Sequence, residues 1–425
     1  QVMSYLVRHV DRELDDLLDQ LPALSLEGPR GVGKTATAER RAKTVYYLDD
    51  PSQRAVAEAD PNRVLYGEAP VLIDEWQRVP AVWDAVRRAV DRGCEPGRFL
   101  LTGSAGPMSP PSHSGAGRIV TIRMRPLTLA ERGVGSPRVS LEALLHGDGL
   151  DIEGTTDVGL ADYVREIVAT GFPAIRGLKG RARTLQLDGY LRRIIDTDFE
   201  ELGHRIRRPE VLERWMAAYA AATSTTASYE TIRDAATGGQ GDKPAKTTVL
   251  PYRDVLERLW ILDPVPAWLP TRNWFNRLGQ SPKHQLADPG LAVRMLGLDA
   301  EALLTGSRPD IAVPRDGTLL GHLFEALVTL NIRGMAQALD ARVRHLRQGS
   351  SRKEVDLIIE RPDQKVLGVE VKLSGAVEDA DVSNLLWLRE KLGADLIDAV
   401  VVNTGPRAYR RRDGVAVIPA ALLGP

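Results

Sequence analysis

Short, mainly apolar runs alternate with amphipathic stretches over the first 150 residues. The runs at 23–26, 45–48, 71–73 and 99–101 each have the length of a buried strand. An amphipathic helix precedes them, because Val7, Val10, Leu14, Leu17 and Leu21 recur with a period near 3.6. This alternation predicts a parallel α/β sheet that binds ligands at the carboxyl ends of its strands.

The middle of the chain, 151–270, has mainly helical patterning. We predict helices at 209–222 and 229–236, and a third that opens at Thr247 or Thr248 and tolerates Pro251 in its first turn. A short extended piece follows at 265–268. This order is typical of a winged helix-turn-helix. An ordinary helical lid on the N-terminal domain is an equally open alternative.

The last part, 271–425, changes character again. A helical pattern at 319–338 is followed by strand-like runs at 354–360 and 366–372, a helical stretch at 379–392 and a strand at 399–402. With one further strand, for which no run is assigned, these elements give an α-β-β-β-α-β order that predicts a second α/β domain. We therefore expect three domains, at 1–150, 151–270 and 271–425.

Composition narrows the possible partners and cellular settings. The 56 basic and 57 acidic residues nearly balance, so any nucleic-acid contact must come from a local patch. The cluster of Arg205, Arg207 and Arg208 is either a solvated turn or such a patch. Cys94 is the only cysteine, so no disulfide forms within the chain. No apolar run approaches the ~18 residues of a membrane span, and we expect a cytoplasmic protein without membrane contact.

Residues 28–35 read GPRGVGKT directly after the first predicted strand, which is a complete P-loop pattern. The glycines allow a tight turn whose N–H groups point at phosphate oxygens, and the following helix adds the positive end of its dipole. Lys34 is expected to reach the β- and γ-phosphates and Thr35 to ligate Mg²⁺. The sequence thus predicts ATP with Mg²⁺, bound by Gly28, Gly31, Val32, Gly33, Lys34, Thr35 and Ala36.

Polar residues close the two following strands. Asp74 and Glu75 end the run at 71–73, where Asp74 is expected to hold Mg²⁺ through water and Glu75 to polarise the attacking water. The alternative is a solvated acidic strand end. Ser104 ends the next strand, where it either positions the water as a sensor or caps a helix.

Arg118 follows a Gly- and Ser-rich stretch at 112–117. An arginine on a mobile loop can complete a neighbouring subunit's site by stabilising transition-state charge, which would make the protein a homo-oligomer. An ordinary surface arginine is the alternative.

Several motifs together resemble a known family. GPRGVGKT at 28–35, VLIDE at 71–75, LLTGSA at 100–105, SGAGR at 114–118 and RPLTLAE at 125–131 resemble the bacterial AAA+-type ATPases. GFP at 171–173, YLRRIIDTD at 190–198, DPGLA at 288–292, GHLFE at 321–325 and EVDLIIE at 354–360 resemble that family's C-terminal domain of unknown function. The resemblance implies an AAA+-like P-loop ATPase joined to a nuclease-like domain, and it implies no particular substrate.

Asp356 and the pair Glu370 and Lys372 lie on consecutive predicted strands with the spacing of PD-(D/E)xK nucleases. Carboxylates on adjacent strands can bind Mg²⁺, which activates water, and Lys372 on the same strand face as Glu370 can position it. Glu325 on the preceding helix is a further candidate metal ligand, whereas Glu354 is expected to face away. The motif alone is weak, and the surrounding element order, which is that of a restriction-endonuclease-like fold, strengthens it.

Our leading hypothesis from the sequence is an ATP-dependent enzyme acting on DNA, in which an ATPase drives or gates a Mg²⁺-dependent nuclease-like domain. The rival hypothesis is an ATP-driven regulatory switch whose nuclease-like domain only binds DNA or a protein. The third hypothesis is a P-loop protein in which ATP only stabilises the fold, because it binds the folded state and not the unfolded one.

Overall fold

The computed structural model describes residues 5–105, 116–147, 151–237, 244–271, 280–305, 318–348 and 353–425. In these residues the N-terminal sheet has five strands, all parallel, in the order β2-β3-β4-β1-β5. The strands are β1 (Ala23–Glu27), β2 (Thr44–Tyr47), β3 (Val71–Asp74), β4 (Phe99–Gly103) and β5 (Val120–Arg123). Four of them match the runs predicted from the apolar pattern.

Helices cover both faces of this sheet, as buried parallel strands require. They are α1 (His9–Leu18), α2 (Lys34–Glu39), α3 (Pro51–Ala59) and α4 (Ala81–Asp91), with 3₁₀ turns at Pro61–Leu65 and Trp76–Arg78. Apolar residues of α1 pack with Leu24 and Leu26 on one face, while Ala23, Val71 and Phe99 pack with α4 on the other. All carboxyl ends of the strands therefore meet at one edge.

The middle region is helical, as predicted. Its helices are α5 (Leu141–His146), α6 (Leu160–Ala169), α7 (Pro173–Arg176), α8 (Gly180–Arg193), α9 (Phe199–Glu201), α10 (Pro209–Ala221), α11 (Tyr229–Ala235) and α12 (Lys246–Arg258), with a π-helical turn at Ile194–Asp198 between α8 and α9. After α12 the chain is extended, and Leu262 and Val265 pair antiparallel with Leu286 and Lys283. The predicted order of three helices followed by a short extended piece is present in α10 to α12 and the residues after them.

As far as the chain is described, the C-terminal region is built on a seven-stranded mixed sheet in the order β7-β12-β13-β11-β10-β9-β8. Its strands are β7 (Gly154–Thr155), β8 (Arg342–Gln348), β9 (Lys353–Glu360), β10 (Val366–Lys372), β11 (Leu396–Asn403), β12 (Arg407–Arg410) and β13 (Ala416–Pro419). Short strands β6 (Val139–Ser140) and β14 (Leu423–Gly424) pair separately, and the described helices are α13 (Pro289–Met295), α14 (Ala300–Thr305), α15 (Thr318–Gln337) and α16 (Asp379–Leu392). The succession from α15 through β8, β9, β10 and α16 to β11 is the predicted α-β-β-β-α-β order.

Both predicted domain limits fall where the chain joins the C-terminal sheet. The edge strand β7 follows residue 150 closely and pairs with β12, and Ala267 pairs with His345 of β8 just before residue 270. Strands β6 and β7 thus pair with strands of the C-terminal region, although they lie on either side of the predicted end of the first domain. Two-residue strands carry too short a pattern to be recognised in a sequence.

Family motifs at 125–131, 171–173 and 288–292, one from each of the three predicted regions, meet in one buried junction. Asp288 accepts hydrogen bonds from the backbone N–H groups of Gly171 and Gly290, at 2.7 and 2.8 Å. The fully buried guanidinium of Arg132 lies 3.5 Å from Asp288 and donates to the carbonyl of Leu127. These motifs therefore join residues of all three predicted regions.

A second buried junction connects all three regions. Asp263, which follows α12, forms ion pairs with Arg123 at 2.8 Å, Arg125 at 2.9 Å and Arg333 at 2.9 Å. Arg123 is the last residue of β5, Arg125 follows two residues later, and Arg333 lies on α15. Burial alone would raise the pKa of Asp263, but the three guanidinium groups outweigh it and hold the pKa well below its ordinary value.

Of the helices in the described ranges, none combines the length and the apolar character that crossing a membrane requires.

Candidate functional site

The P-loop lies between the end of β1 and the start of α2. Gly31 and Gly33 have φ values of 81° and 100°, a left-handed region that glycine enters at little cost. A Cβ atom on Gly28 would lie 2.1 Å from the carbonyl oxygen of Met124, so the end of β5 excludes any side chain there. These constraints explain why glycines occupy the loop.

Lys34 is the first residue of α2, and its side chain turns back into the loop. The ammonium is buried and donates to the carbonyls of Gly28 and Pro29, each at 2.9 Å. Burial lowers the pKa of Lys34 to about 8, although Glu75 and Asp74 counteract this. A cation thus lies inside the loop, where phosphate groups are expected.

Thr35 and Asp74, the two predicted Mg²⁺ ligands of the P-loop, are in contact. The Thr35 hydroxyl donates to a carboxylate oxygen of Asp74 at 2.7 Å, and Thr102 donates to the same oxygen. Asp74 is buried, and burial raises its pKa above the ordinary value. A hydroxyl and a carboxylate held together are an oxygen-ligand set that suits Mg²⁺, so the donor atoms fit the predicted ion.

Glu75 and Ser104, which come from neighbouring strands, also meet. Glu75 has a left-handed backbone, with φ at 55°, and its carboxylate accepts hydrogen bonds from Ser104 at 2.9 Å and from Gln77 at 2.6 Å. A non-glycine residue in this conformation costs ~1–3 kcal/mol and is found most often at functional sites. The two predicted residues therefore form one unit beside the P-loop.

Arg118 lies at the other end of the N-terminal sheet. Val120, two residues later, pairs with Leu24 of β1, whereas the P-loop follows the opposite end of that strand. The guanidinium is about half exposed and forms an ion pair with Asp91 at 2.7 Å. Arg118 is therefore separated from its own P-loop, and the preceding residues 112–115 lie outside the described ranges.

Arg8 is a P-loop neighbour that the sequence patterns do not single out. Its buried guanidinium donates to the carbonyls of Val32 at 2.7 Å and Arg125 at 2.6 Å, and pairs with Glu131 at 3.1 Å. Arg8 thus connects the loop to the RPLTLAE motif. Nothing in the amphipathic pattern of the first helix distinguishes this residue from a solvated arginine.

A second neighbouring group comes from the YLRRIIDTD motif. Arg30 of the P-loop lies 3.5 Å from Asp198 and 3.4 Å from Glu201, and the Tyr190 hydroxyl donates to the Arg30 carbonyl. Arg193 also pairs with Asp198, at 3.5 Å. The YLRRIIDTD motif marked these residues as candidates for a function. Because the motif is far from the P-loop in sequence, it did not indicate that they contact Arg30.

Asp356, Glu370 and Lys372 converge in the C-terminal region, as their strand positions predict. Asp356 accepts a hydrogen bond from the N–H of Val371 at 2.9 Å, and Lys372 lies 3.2 Å from Glu370. The other carboxylate oxygen of Glu370, Oε1, is buried, and no donor among the described residues reaches it. Burial, and then the charge of Asp356, raise the pKa of Glu370 well above its ordinary value.

Lys283 is a central residue of this cluster that sequence reasoning missed. Its ammonium lies 2.7 Å from Glu325, 3.3 Å from Asp356 and 3.5 Å from Glu354. The side chain is essentially inaccessible to solvent, at 1% exposure. Burial disfavours the charged ammonium, but Asp356, Glu325 and Glu354 outweigh it and raise the pKa of Lys283.

The expectation that Glu354 faces away from the cluster is wrong. Glu354 and Asp356 are two residues apart on β9, and side chains at that spacing share a strand face. Accordingly both carboxylates lie near the Lys283 ammonium. Glu325 on α15 faces the same point, and burial, followed by the charge of Asp356, raises the pKa of Glu325 to about 8.

The donor set of this cluster fits a divalent cation only in part. Glu370 Oε1 is free to accept one, but Glu325 and one oxygen of Asp356 already contact Lys283. Within the described ranges, no group of three or more His, Cys, Asp or Glu side chains is arranged to hold a metal ion. The metal role predicted for Glu325, Asp356 and Glu370 stays a prediction.

Comparison with protein families covers each region separately. Residues 20–132 match a family described as an AAA domain, residues 160–302 a domain of unknown function (DUF8612), and residues 320–423 a domain of unknown function (DUF4143). The first match confirms an AAA-type ATPase domain on the P-loop sheet. Neither of the other descriptions names a nuclease, so that part stays a prediction.

Relatives and solved structures extend the comparison. Uncharacterised proteins of Mycobacterium tuberculosis (Rv2008c) and Mycobacterium bovis (Mb2031c) are each 28% identical over 315 residues, which is 72% of this chain and 63% of theirs. The chain thus spans less than two thirds of these relatives. The Walker-type ATPase PABY2304 of Pyrococcus abyssi has 16% identity and a TM-score of 0.39, covering 68% of this chain and 96% of its own. The RuvB Holliday junction branch migration motor of Thermotoga maritima has 17% identity and a TM-score of 0.27, covering 60% and 89%.

Proposed function

We propose that the protein binds and hydrolyses ATP at its P-loop and uses the cycle to switch a DNA-binding region in the rest of the chain. One observation carries the ATPase part: Thr35 bonds to Asp74 and Ser104 bonds to Glu75, and both carboxylates act on the charge of the buried Lys34 ammonium. These are the charges and proton acceptors that phosphoryl transfer to water requires.

Each side chain has a role that follows from its contacts. Lys34 would exchange the carbonyls of Gly28 and Pro29 for phosphate oxygens, which better stabilise an ammonium. Thr35 and Asp74 would hold Mg²⁺, whose charge offsets that of the phosphates. Glu75 would accept the proton of the attacking water, and Ser104 would orient the Glu75 carboxylate.

The DNA-binding part of the proposal rests on α10 to α12 and the extended pair after them, which have the order of a winged helix-turn-helix. The first turn of α12 exposes Lys246, Thr247 and Thr248. Beside it lies a cavity of about 510 Å³, lined also by Arg205, Arg207 and Arg208. Exposed cations next to a helix start are suited to the DNA backbone, because they can pair with phosphates and release counterions.

The DNA surface is tested by binding of a duplex over a range of salt concentrations. Replacing Arg205 and Arg207 by Ala should weaken binding and reduce the slope of log K against log[salt] by about 0.9 for each phosphate that these cations no longer neutralise. The matched control replaces Arg12 and Arg165, two exposed arginines elsewhere on the chain. Equally weakened binding in both double variants would contradict the assigned surface.

The coupling between the two parts is tested with the nucleotide as the variable. DNA affinity of the wild type should differ between ATP, ADP and no nucleotide, because the middle region contacts the P-loop through Arg30, Asp198 and Glu201. In Lys34→Ala the difference should disappear. Nucleotide-dependent DNA binding that survives in Lys34→Ala would refute the switch.

A second candidate function is Mg²⁺-dependent DNA cleavage by the C-terminal region. The convergence of Asp356, Glu370 and Lys372, and the unpartnered oxygen of Glu370, favour it. Asp356 and Glu370 would hold Mg²⁺, which would supply an activated water, and Lys372 would position that water. Cleavage of single-stranded, duplex or branched DNA that is abolished by Asp356→Ala would support this candidate. If all three kinds of DNA stay intact, the C-terminal region acts only as a binding module.

The position of Arg118 bears on the quaternary structure. The residue is at the end of the sheet opposite to its own P-loop, so any contact with a γ-phosphate requires a neighbouring subunit. We therefore include ATP-promoted homo-oligomers in the proposal.

A further inference from the structure

The cluster at the C-terminal sheet contains a lysine that the nuclease motif does not require. The motif lysine is Lys372, which contacts Glu370. Lys283 lies in an extended segment more than forty residues before Glu325, the residue of α15 that it contacts. The two ammonium groups are therefore not alternatives for one role. Lys283 needs an explanation of its own.

We propose that Lys283 is a built-in counter-cation that occupies, between Glu325 and Asp356, the position where the nuclease resemblance places a divalent metal ion. Its ammonium lies within 3.5 Å of three carboxylates: Glu325, Asp356 and Glu354. Closely spaced carboxylates repel one another unless a cation lies among them. The lysine supplies that cation from within the chain.

The backbone of Lys283 is fixed on both sides, which makes the ammonium a permanent part of the cluster. Its N–H and carbonyl exchange hydrogen bonds with Val265 at 2.9 and 2.8 Å. The next residue, His284, exchanges backbone hydrogen bonds with Thr225 and Ser224, each at 2.8 Å. Because the winged-helix-like region fixes the segment, the side chain points into the cluster without depending on the cluster itself.

The remaining carboxylate oxygens define what a divalent cation still finds in the wild type. Asp356 Oδ2 accepts from the N–H of Val371 and Glu370 Oε2 contacts Lys372, whereas no donor in the described part of the chain reaches the buried Glu370 Oε1. Hard divalent cations are held by several oxygen ligands at once. Because the Lys283 ammonium lies between Glu325 and Asp356, a divalent cation cannot share that position, and we expect Glu325 not to act as a metal ligand in the wild type.

Removal of Lys283 should convert the cluster into a divalent cation site. The test is Mn²⁺ binding to the full chain without nucleotide, followed by electron paramagnetic resonance. Lys283→Met, which keeps an unbranched side chain of similar length, should bind one more Mn²⁺ per chain than the wild type, and the double variant with Glu325→Gln should lose that ion. Lys353→Met removes a lysine charge from the start of β9, outside the cluster, and should gain no ion.

Two results would overturn the inference. One is a Lys283→Met protein that gains no Mn²⁺. The other is a wild type whose bound Mn²⁺ is lost on Glu325→Gln, and this comparison does not need Lys283→Met to fold. The inference rests on the nuclease-like arrangement in the proposed function but not on ATP turnover. Any Mn²⁺ held by Thr35 and Asp74 is common to all variants, so a negative result here leaves the ATPase proposal standing.

Discussion

The hydroxyl of Thr35 donates a hydrogen bond to the carboxylate of Asp74 at 2.7 Å, which joins the end of the P-loop to the end of β3. Both atoms are oxygen ligands of the kind that Mg²⁺ takes. Thr35→Val keeps the shape of the side chain and removes the ligand. We therefore expect Mg²⁺ to increase the ATP affinity of the wild type and to lose most of this effect in Thr35→Val.

The measurement is the ATP dissociation constant with and without Mg²⁺, by calorimetry. Thr44→Val changes a half-buried threonine of β2 in the same way and serves as the control, since it should retain the full Mg²⁺ effect. A Thr35→Val protein whose ATP affinity still depends on Mg²⁺ as in the wild type would refute the ligand assignment.

Ser104 is expected to act through Glu75. Ser104→Ala removes a hydrogen bond to the Glu75 carboxylate, an interaction worth about 1 kcal/mol, so ATP turnover should fall by about fivefold while ATP affinity stays the same. Steady-state kinetics separates the two quantities. Ser52→Ala, on an exposed serine of α3, should change neither, and a loss of affinity in Ser104→Ala would indicate a phosphate contact instead.

Arg118 should act on a neighbouring subunit. Arg118→Ala and Lys34→Ala should each be inactive alone, and a mixture of the two should regain part of the ATP hydrolysis, because one complete site forms between unlike subunits. Arg87→Ala is a close control, since Arg87 pairs with the same carboxylate, that of Asp91, at 2.8 Å. If Arg87→Ala has the same effect as Arg118→Ala, the effect passes through Asp91. The idea that Arg118 acts on the site of a neighbouring subunit is then disproved.

Asp263 is predicted to be a main source of stability at the junction of the three regions. Asp263→Asn leaves Arg123, Arg125 and Arg333 buried without their counter-charge, which should cost about 3–5 kcal/mol in unfolding free energy. Asp254→Asn, an exposed position on α12, should cost little.

The pH dependence of this destabilisation has a definite sign. The pKa of Asp263 is lowered in the folded protein, so its contribution is complete above the unfolded value of about 3.9 and is lost only as pH falls through the folded value. The difference in melting temperature between wild type and Asp263→Asn should therefore be constant between neutral pH and about pH 5. A difference that shrinks over this range would show that Asp263 is not held ionised.

The strands and the P-loop were predictable because their signals are local. A buried parallel strand is a short apolar run, and the P-loop is an eight-residue pattern with one geometry, so the positions of β1, β3 and β4 followed from the sequence. The convergence of Asp356 with Glu370 followed from strand periodicity in the same way. Periodicity applied correctly would also have placed Glu354 beside Asp356, since they are two residues apart.

The remaining features depend on partners that are distant in sequence. Lys283 contacts residues 42 and 73 positions later, and Arg8 contacts Glu131, 123 positions later. No local pattern distinguishes such a buried charge from a solvated one. The same holds for Asp263, whose arginines come from β5 and α15.

The central claim, ATP hydrolysis at the P-loop with Glu75 as the proton acceptor, is tested most directly by comparing ATP binding and ATP turnover in Glu75→Gln and Lys34→Ala. Glu75→Gln should keep ATP bound but reduce turnover by about 10²- to 10⁴-fold, because it removes a general base and leaves the phosphate contacts in place. Lys34→Ala should weaken ATP binding itself, and Glu95→Gln, at an exposed position of the same domain, should behave as the wild type. Turnover at the wild-type rate in both Glu75→Gln and Lys34→Ala would contradict the account.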